Sequence, residues 1–207
     1  MVSRTRRTQE ERRDEAEQRM LAAGVHLLAA NGPERLTLTE VGVAAGYSRG
    51  LPAHHFGSRE QYLKALASYV AVEFNQTLEG ADRASGLGAV LEITRAVLDQ
   101  LKIDRTRGLA TQIVLAEPRQ DQALSDEVAG LRDKTLALLA DHLRDGIRTG
   151  EVRPDVVPEQ AGLLIAAGIC GLIDTGLADP DYDAAAGGNE LLRLIEHGLK
   201  RQPGGSV

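Results

Sequence analysis

Apolar side chains along this chain recur three and four positions apart between turn residues and almost never alternate, so the pattern predicts an all-α fold of about nine helices and no sheet. The first predicted helix runs from about Glu10 to Ala30, with Ala16, Met20, Ala23, Leu27 and Ala30 on one face, and stops at Asn31-Gly32-Pro33, where Pro cannot continue the helix. Thr37 with Glu40 three positions on is a capping-box pattern opening a short helix that Ala45-Gly46 ends. Ser48 is read as the cap of a second short helix, and Ser58, with Gln61 three positions on, as the cap of a long one reaching about Gly80. Beyond it, helices are predicted at 86–103, 106–116, 122–149, 158–178 and 188–200. They are separated by Pro118, by Gly150 with Pro154 and Pro158, and by Asp179-Pro180-Asp181 with Gly187-Gly188.

Composition, 43% hydrophobic and 26% charged, fits a globular protein. Charge is uneven: the first 60 residues hold nine Lys/Arg against eight Asp/Glu, so the net charge of −6 sits in the C-terminal part and the N-terminal part can still face phosphates. Arg4, Arg6 and Arg7 make residues 1–9 a basic arm, either functional or merely solvated. Residues 202–207 read as a disordered tail. A lone cysteine, Cys170, allows no intrachain disulfide and fits a reducing compartment. The longest uncharged apolar run, Ala161 to Ile173, falls short of the roughly 18–20 residues that span a bilayer, so a cytoplasmic protein without membrane association is expected.

Chemistry concentrates in Thr37-Leu-Thr-Glu-Val-Gly-Val-Ala-Ala-Gly-Tyr-Ser-Arg-Gly-Leu-Pro-Ala-His-His-Phe56, two short helices about a turn at Gly46. Gly42 and Ala45 let the helices cross closely, with Val41 and Leu51 packing beneath. Such a unit presents its second helix outward, where it can enter a major groove. His54-His55 makes no metal site, because adjacent helical side chains diverge by about 100° and no nearby acid or cysteine completes one. Nothing in the chain assembles a catalytic constellation: Cys170 has no companion His at a motif spacing, and no Gly-rich phosphate loop follows a strand. No cofactor and no enzymatic activity are expected.

The segment resembles the DNA-binding domain of the TetR family of bacterial transcriptional regulators, matching its pattern at Thr37, Val41, Ala45, Gly46, Ser48, Gly50, His55 and Phe56 and on through Ser58-Arg59-Glu60. The resemblance implies a helix-turn-helix domain over 10–57 and a helical effector-binding and dimerisation domain over 58–201. It further implies a homodimer acting on double-stranded DNA at a near-palindromic operator, most simply as a repressor released by a small molecule. Thr37, Ser48 and Arg59 are implied phosphate contacts; Arg49, Leu51 and His54 are the base-facing group, alongside Gly50 and Ala53. His55 either buttresses Phe56 or approaches a phosphate, and Tyr47 either packs inward or turns its hydroxyl to the DNA backbone. Ala53 stands where the family has tyrosine, and Pro52 falls inside the expected recognition helix; both foretell a weaker or altered contact. An interaction protein of the same architecture that has lost DNA binding is the competing reading.

In the C-terminal part the Gly/Ala-rich segment 158–178 is apolar nearly all round and must be covered. The resemblance implies a four-helix dimer bundle with 188–200, placing Gly162, Ala166, Ile169 and Cys170 at the interface with Leu192, Ile195 and Leu199. Cys170 is either small packing material or a redox-sensing thiol. Of six aromatic residues only Tyr182 lies beyond Phe74, which predicts an aliphatic effector cavity, with Thr94, Thr135 and His142 as polar candidates. Each has a plain alternative, a threonine bonded to its own helix or a histidine at an edge.

Overall fold

The computed structural model describes residues 8–82, 84–116, 122–179 and 181–201, and among them the chain is helical with one isolated bridge, Val152 to Lys200. Residues 1–7 of the basic arm, the Pro118 break and the C-terminal tail lie outside the described residues, as do the side chains of 122–129, whereas Thr8 and Gln9, expected in the arm, cap and open the first helix. The elements are α1 (Gln9–Arg35), α2 (Leu38–Ala44), α3 (Leu51–Phe56), α4 (Arg59–Ala81), α5 (Gly86–Ile103), α6 (Arg105–Ala116), α7 (Gln122–Thr149), α8 (Pro158–Ala178) and α9 (Ala184–Leu199). None is long and apolar enough to cross a membrane.

The helix starts follow local chemistry. Thr8 and Thr37 form capping boxes with Glu11 and Glu40, and the Ser58 hydroxyl accepts from the Gln61 N–H at 3.1 Å. At Asn31-Gly32-Pro33 the helical path breaks as expected: Gly32 takes φ 74°, ψ 170°, and Pro33–Arg35 is a separate turn. Two boundaries differ from the sequence reading. α3 begins at Leu51, not after Ser48, with Gly50 as its cap residue. α9 begins at Ala184, so the glycine pair 187–188 lies inside it. There Asp183 accepts N–H bonds from Ala185 and Ala186, and three alanines propagate the first turn. Gly187 is a matter of space: a Cβ there would stand 2.1 Å from the Tyr182 hydroxyl oxygen.

Two cores divide the molecule, and the division does not fall at residue 57. The first gathers α1, α2, the first half of α4 and, from much later in the chain, Ala110 and Val114 of α6. The second gathers the end of α4 with α5, α7, α8 and α9. α4 therefore belongs to both, through Tyr62 to Val70 at one end and Leu78 at the other.

On α1 the buried face is centred on Met20, Leu21, Gly24, Val25 and Leu28, rotated from the predicted stripe, and Ala30 is exposed. The reason is Tyr62. Its ring is fully buried against α1 and its hydroxyl donates to the Met20 carbonyl oxygen at 2.9 Å, directly over Gly24. A Cβ on Gly24 would lie 1.8 Å from that hydroxyl oxygen. Burial also holds the Tyr62 phenol far above its ordinary pKa, so it stays a neutral donor.

This contact gives a test. Gly24→Ala should destabilise the protein by about 1–3 kcal/mol through overpacking, although alanine ordinarily gains about 1 kcal/mol over glycine inside a helix. In a Tyr62→Phe background the same substitution should become neutral or stabilising. Denaturant titration of the four proteins decides; a stabilising Gly24→Ala with Tyr62 present would refute the packing account.

Candidate nucleic-acid interface and adjoining cavity

Thr37 opens α2 with three reciprocal bonds to Glu40: its hydroxyl and N–H donate to Oε2 at 2.7 and 3.2 Å, and its Oγ1 accepts from the Glu40 N–H at 3.3 Å. α2 ends where Gly46 adopts φ 77°, a conformation that a side chain would strain. The chain then returns so closely that a Cβ on Gly42 would meet the Ser48 carbonyl oxygen at 2.6 Å and Pro52 Cδ at 3.1 Å. Pro52 is thus a buried part of the turn-to-helix packing, at the second position of α3, where a missing N–H leaves no helical bond unmade. The distortion expected from a proline inside the recognition helix does not arise. Ser48 is no helix cap, because Pro52 delays the helical start past it; its carbonyl accepts from the Leu51 N–H at 3.1 Å.

The residues singled out in the sequence separate into two groups. Thr37, Ser48, Arg49, Gly50, Ala53 and His54 are exposed, and the last four share the outward side of the α3 start; Leu51 is half-buried against the first core. His55 instead faces the protein, and Arg59, although exposed, spends its guanidinium on backbone carbonyls. The His55 ring, 8% exposed, places Nε2 2.7 Å from Glu17 Oε2 on α1 and meets Phe56 edge-on at 4.7 Å; Phe56 in turn meets Tyr62 edge-on at 4.9 Å. Of the two roles left open for His55, this arrangement serves support. Arg59 Nε donates to the Leu36 carbonyl at 2.9 Å and Nη2 donates to the Pro33 carbonyl, so its guanidinium ties the start of α4 to the end of α1 instead of reaching outward. The support role of His55 was one of the two the sequence offered, but its bond to Glu17 and those of Arg59 join residues more than twenty positions apart and were not legible there. Tyr47 packs inward, with the Arg19 guanidinium 5.5 Å over its ring.

Between the two cores lies a cavity of about 620 Å³, bounded by α4 to α8 and mostly apolar. Thr94 and Thr135 both line it, and each hydroxyl donates to its own helix, to Val90 at 2.7 Å and Leu131 at 2.9 Å, the plain alternative for each. His142 does not line it. That ring faces the end of α4, with Nε2 2.9 Å from Asp82 Oδ1 but poorly aligned for a hydrogen bond, so the contact is chiefly electrostatic. Residues missed by the sequence reading complete the wall: Glu73 and Arg107, paired at 2.7 Å, and Gln112, buried with its amide 3.4 Å from Asp174 Oδ1. Burial, then the neighbouring Glu73 carboxylate, keeps the adjacent Tyr69 phenol above its usual pKa.

The expected dimer residues are turned inward. Gly162 packs against α7; Ala166, Ile169 and Cys170 line the cavity; Ile195 and Leu199 belong to the second core, and Leu192 is half-buried. What faces outward on α8 and α9 is Leu164, 71% exposed, and Leu194, 63% exposed, with Gly171 and Gly198 exposed on the same helices. Among the described residues no cluster of His, Cys, Asp and Glu could hold a metal ion.

Comparison with known proteins agrees with this architecture. Residues 20–66 match the family model described as bacterial regulatory proteins, tetR family. The chain is 23% identical over 186 residues to the HTH-type transcriptional regulator TtgR of Pseudomonas putida, covering 85% of this chain and 86% of that protein. A TetR transcriptional regulator from Chloroflexus aurantiacus superposes with a TM-score of 0.81 at 18% identity, over 92% of this chain and 99% of that one. The transcriptional regulator FadR from Bacillus subtilis, in complex with stearoyl-CoA, does so with 0.72 at 22%, over 87% and 98%.

The Arg59 contacts carry a prediction. Arg59→Ala should lower stability by about 1 kcal/mol, a figure reduced for solvent exposure, while leaving the salt dependence of DNA binding unchanged. A log-log salt slope smaller by about one would return Arg59 to the phosphate contacts.

Proposed function

From the premise that the chain belongs to the TetR family, and is a transcriptional regulator and not an enzyme, we propose that it is a homodimeric repressor released from its operator by a small molecule. The carrying observation is the outward row Arg49, Gly50, Ala53 and His54 at the start of α3, held up from behind by Pro52, His55 and Phe56. A helix presented by its first turn puts side chains on base edges, while Thr37 and Ser48, exposed at neighbouring turns, fall where phosphates flank the groove. Arg49 can bond guanine bidentately, Leu51 can meet a thymine methyl, and His54 can donate to an acceptor. Arg59 and His55 are assigned to holding this surface in place.

Dimerisation is supported by the outward apolar pair Leu164 and Leu194, whose small neighbours permit close helix approach; large apolar side chains so exposed on adjacent helices favour a protein partner. The interface then consists of this outer stripe, and Gly162, Ile169, Cys170 and Ile195 shape its inner support. Two such heads about 34–36 Å apart would read the half-sites of a near-palindromic operator in the cytoplasm. Effector response is supported by the cavity, whose volume lies in the range of small-molecule sites, and by α6. Arg107, Thr111 and Gln112 of that helix face the cavity while Ala110 and Val114 are buried in the head.

The test begins with fragments of genomic DNA selected by the full-length protein. On a selected fragment Arg49→Ala should weaken binding by about 5- to 150-fold relative to its effect on random DNA, the discrimination of one bidentate base contact. Gel-shift titration at fixed salt measures both. Equal loss on selected and random DNA would remove Arg49 from the base contacts.

A further inference from the structure

The cavity sorts its polar groups by depth. Inside, Thr94 is fully buried and Gln112 is 8% exposed, among Ile93, Leu139, Ile169 and Ile173. The charged side chains stand nearer solvent, Glu73 at 28% and Arg107 at 48% exposure, and they are committed to each other, with Asp104 a further 3.2 Å partner of Arg107. Arg132 is exposed, a turn before Thr135 on α7, and keeps its charge in water. Among the described residues the deep wall thus offers hydrogen bonds from uncharged side chains, and the nearest carboxylate, the exposed Asp174, stands behind Gln112 at 3.4 Å.

We propose that the effector is an uncharged amphiphile: an aliphatic body against the deep wall, and a neutral hydrogen-bonding head, of carboxamide or lactone type, seated on Gln112. This rests on the cavity being the effector site. A charged head drawn inward would lose its water, and the charges nearest it, Asp174 and Arg132, are both exposed and hydrated. An anion would have to displace Glu73 and Asp104 from Arg107, and a cation would have to displace Arg107 from Glu73. Flat aromatic cations find one ring, Phe74, on the wall. Gln112, by contrast, can both donate and accept, and its long 3.4 Å contact with Asp174 is easily exchanged for shorter bonds to a ligand. It also lies on α6 between Ala110 and Val114, so a ligand bound to it pulls on the helix that the head packs against.

The experiment uses the full-length protein and an uncharged environment-sensitive dye, N-phenyl-1-naphthylamine, displaced by decanamide, decanoate or decyltrimethylammonium below micelle-forming concentrations. Decanamide should displace the dye at about tenfold lower concentration than either ion, a difference of about 1.4 kcal/mol. Gln112→Leu should erase that preference, each competitor being scored against the variant's own dye affinity, with a cooperative thermal transition retained. Equal or tighter binding of either ion, or a preference that survives Gln112→Leu, overturns the proposal; an anion preference lost in Arg132→Gln would place an acidic head at the mouth. Leu139→Trp, or Ala166→Phe if the first variant lacks a cooperative thermal transition, fills the cavity and should abolish dye uptake. Dye that fails to bind, or that binds the filled variants equally, refutes the effector-site reading itself and the proposal with it.

Discussion

Ala110 and Val114 sit in the core of the N-terminal head although the rest of that head is built from the first seventy residues. One turn of the same helix, α6, carries Thr111 and Gln112 on the wall of the cavity. Helical periodicity puts positions 108 and 112 about 120–160° around the helix from 110 and 114, so α6 cannot shift on the cavity side without shifting against α1. Close-packed interiors do not absorb such a shift gradually. Most of what the molecule can do follows from α6 carrying side chains in the core of the head and side chains on the cavity wall.

The head is built to pass a displacement on. α6 packs along α1, and α1 holds α3 and α4 by polar and aromatic contacts that tolerate little slack. Tyr62 reaches Met20 through the space left by Gly24; Phe56 stands on Tyr62; His55 stands on Phe56 and meets Glu17. Arg59 closes the circuit on the carbonyls of Pro33 and Leu36. α3, only six residues long, could not hold its position alone. Its outward row is therefore set by α1 and α4.

Helix existence and most boundaries were legible in the sequence, because caps and breakers act locally: Thr37 with Glu40, Ser58 with Gln61, and the Gly32-Pro33 break behave as their chemistry requires. Where the reading slipped, a distant contact or a competing cap decided. Pro52 moved the start of α3 past Ser48, and Asp183 carried α9 through its glycine pair. The bonds of Arg59 and His55 and the pairing of His142 with Asp82 join residues far apart in the chain, and no spacing rule reports them. α8 hid its orientation for another reason: a helix apolar on nearly every side gives no phase, so buried Gly162 and Ile169 cannot be told from exposed Leu164 without knowing what packs on each side. Thr94 and Thr135 were found because a threonine on an apolar stripe is itself a local signal.

Coupling between cavity and head must act in both directions. The most direct test is the affinity of the uncharged dye N-phenyl-1-naphthylamine for the full-length protein, measured alone and with a saturating selected DNA fragment. If α6 links the two, DNA holds the head in the arrangement that an occupied cavity disfavours, and dye affinity should fall by about 5-fold or more. Identical affinities with and without DNA would contradict the account.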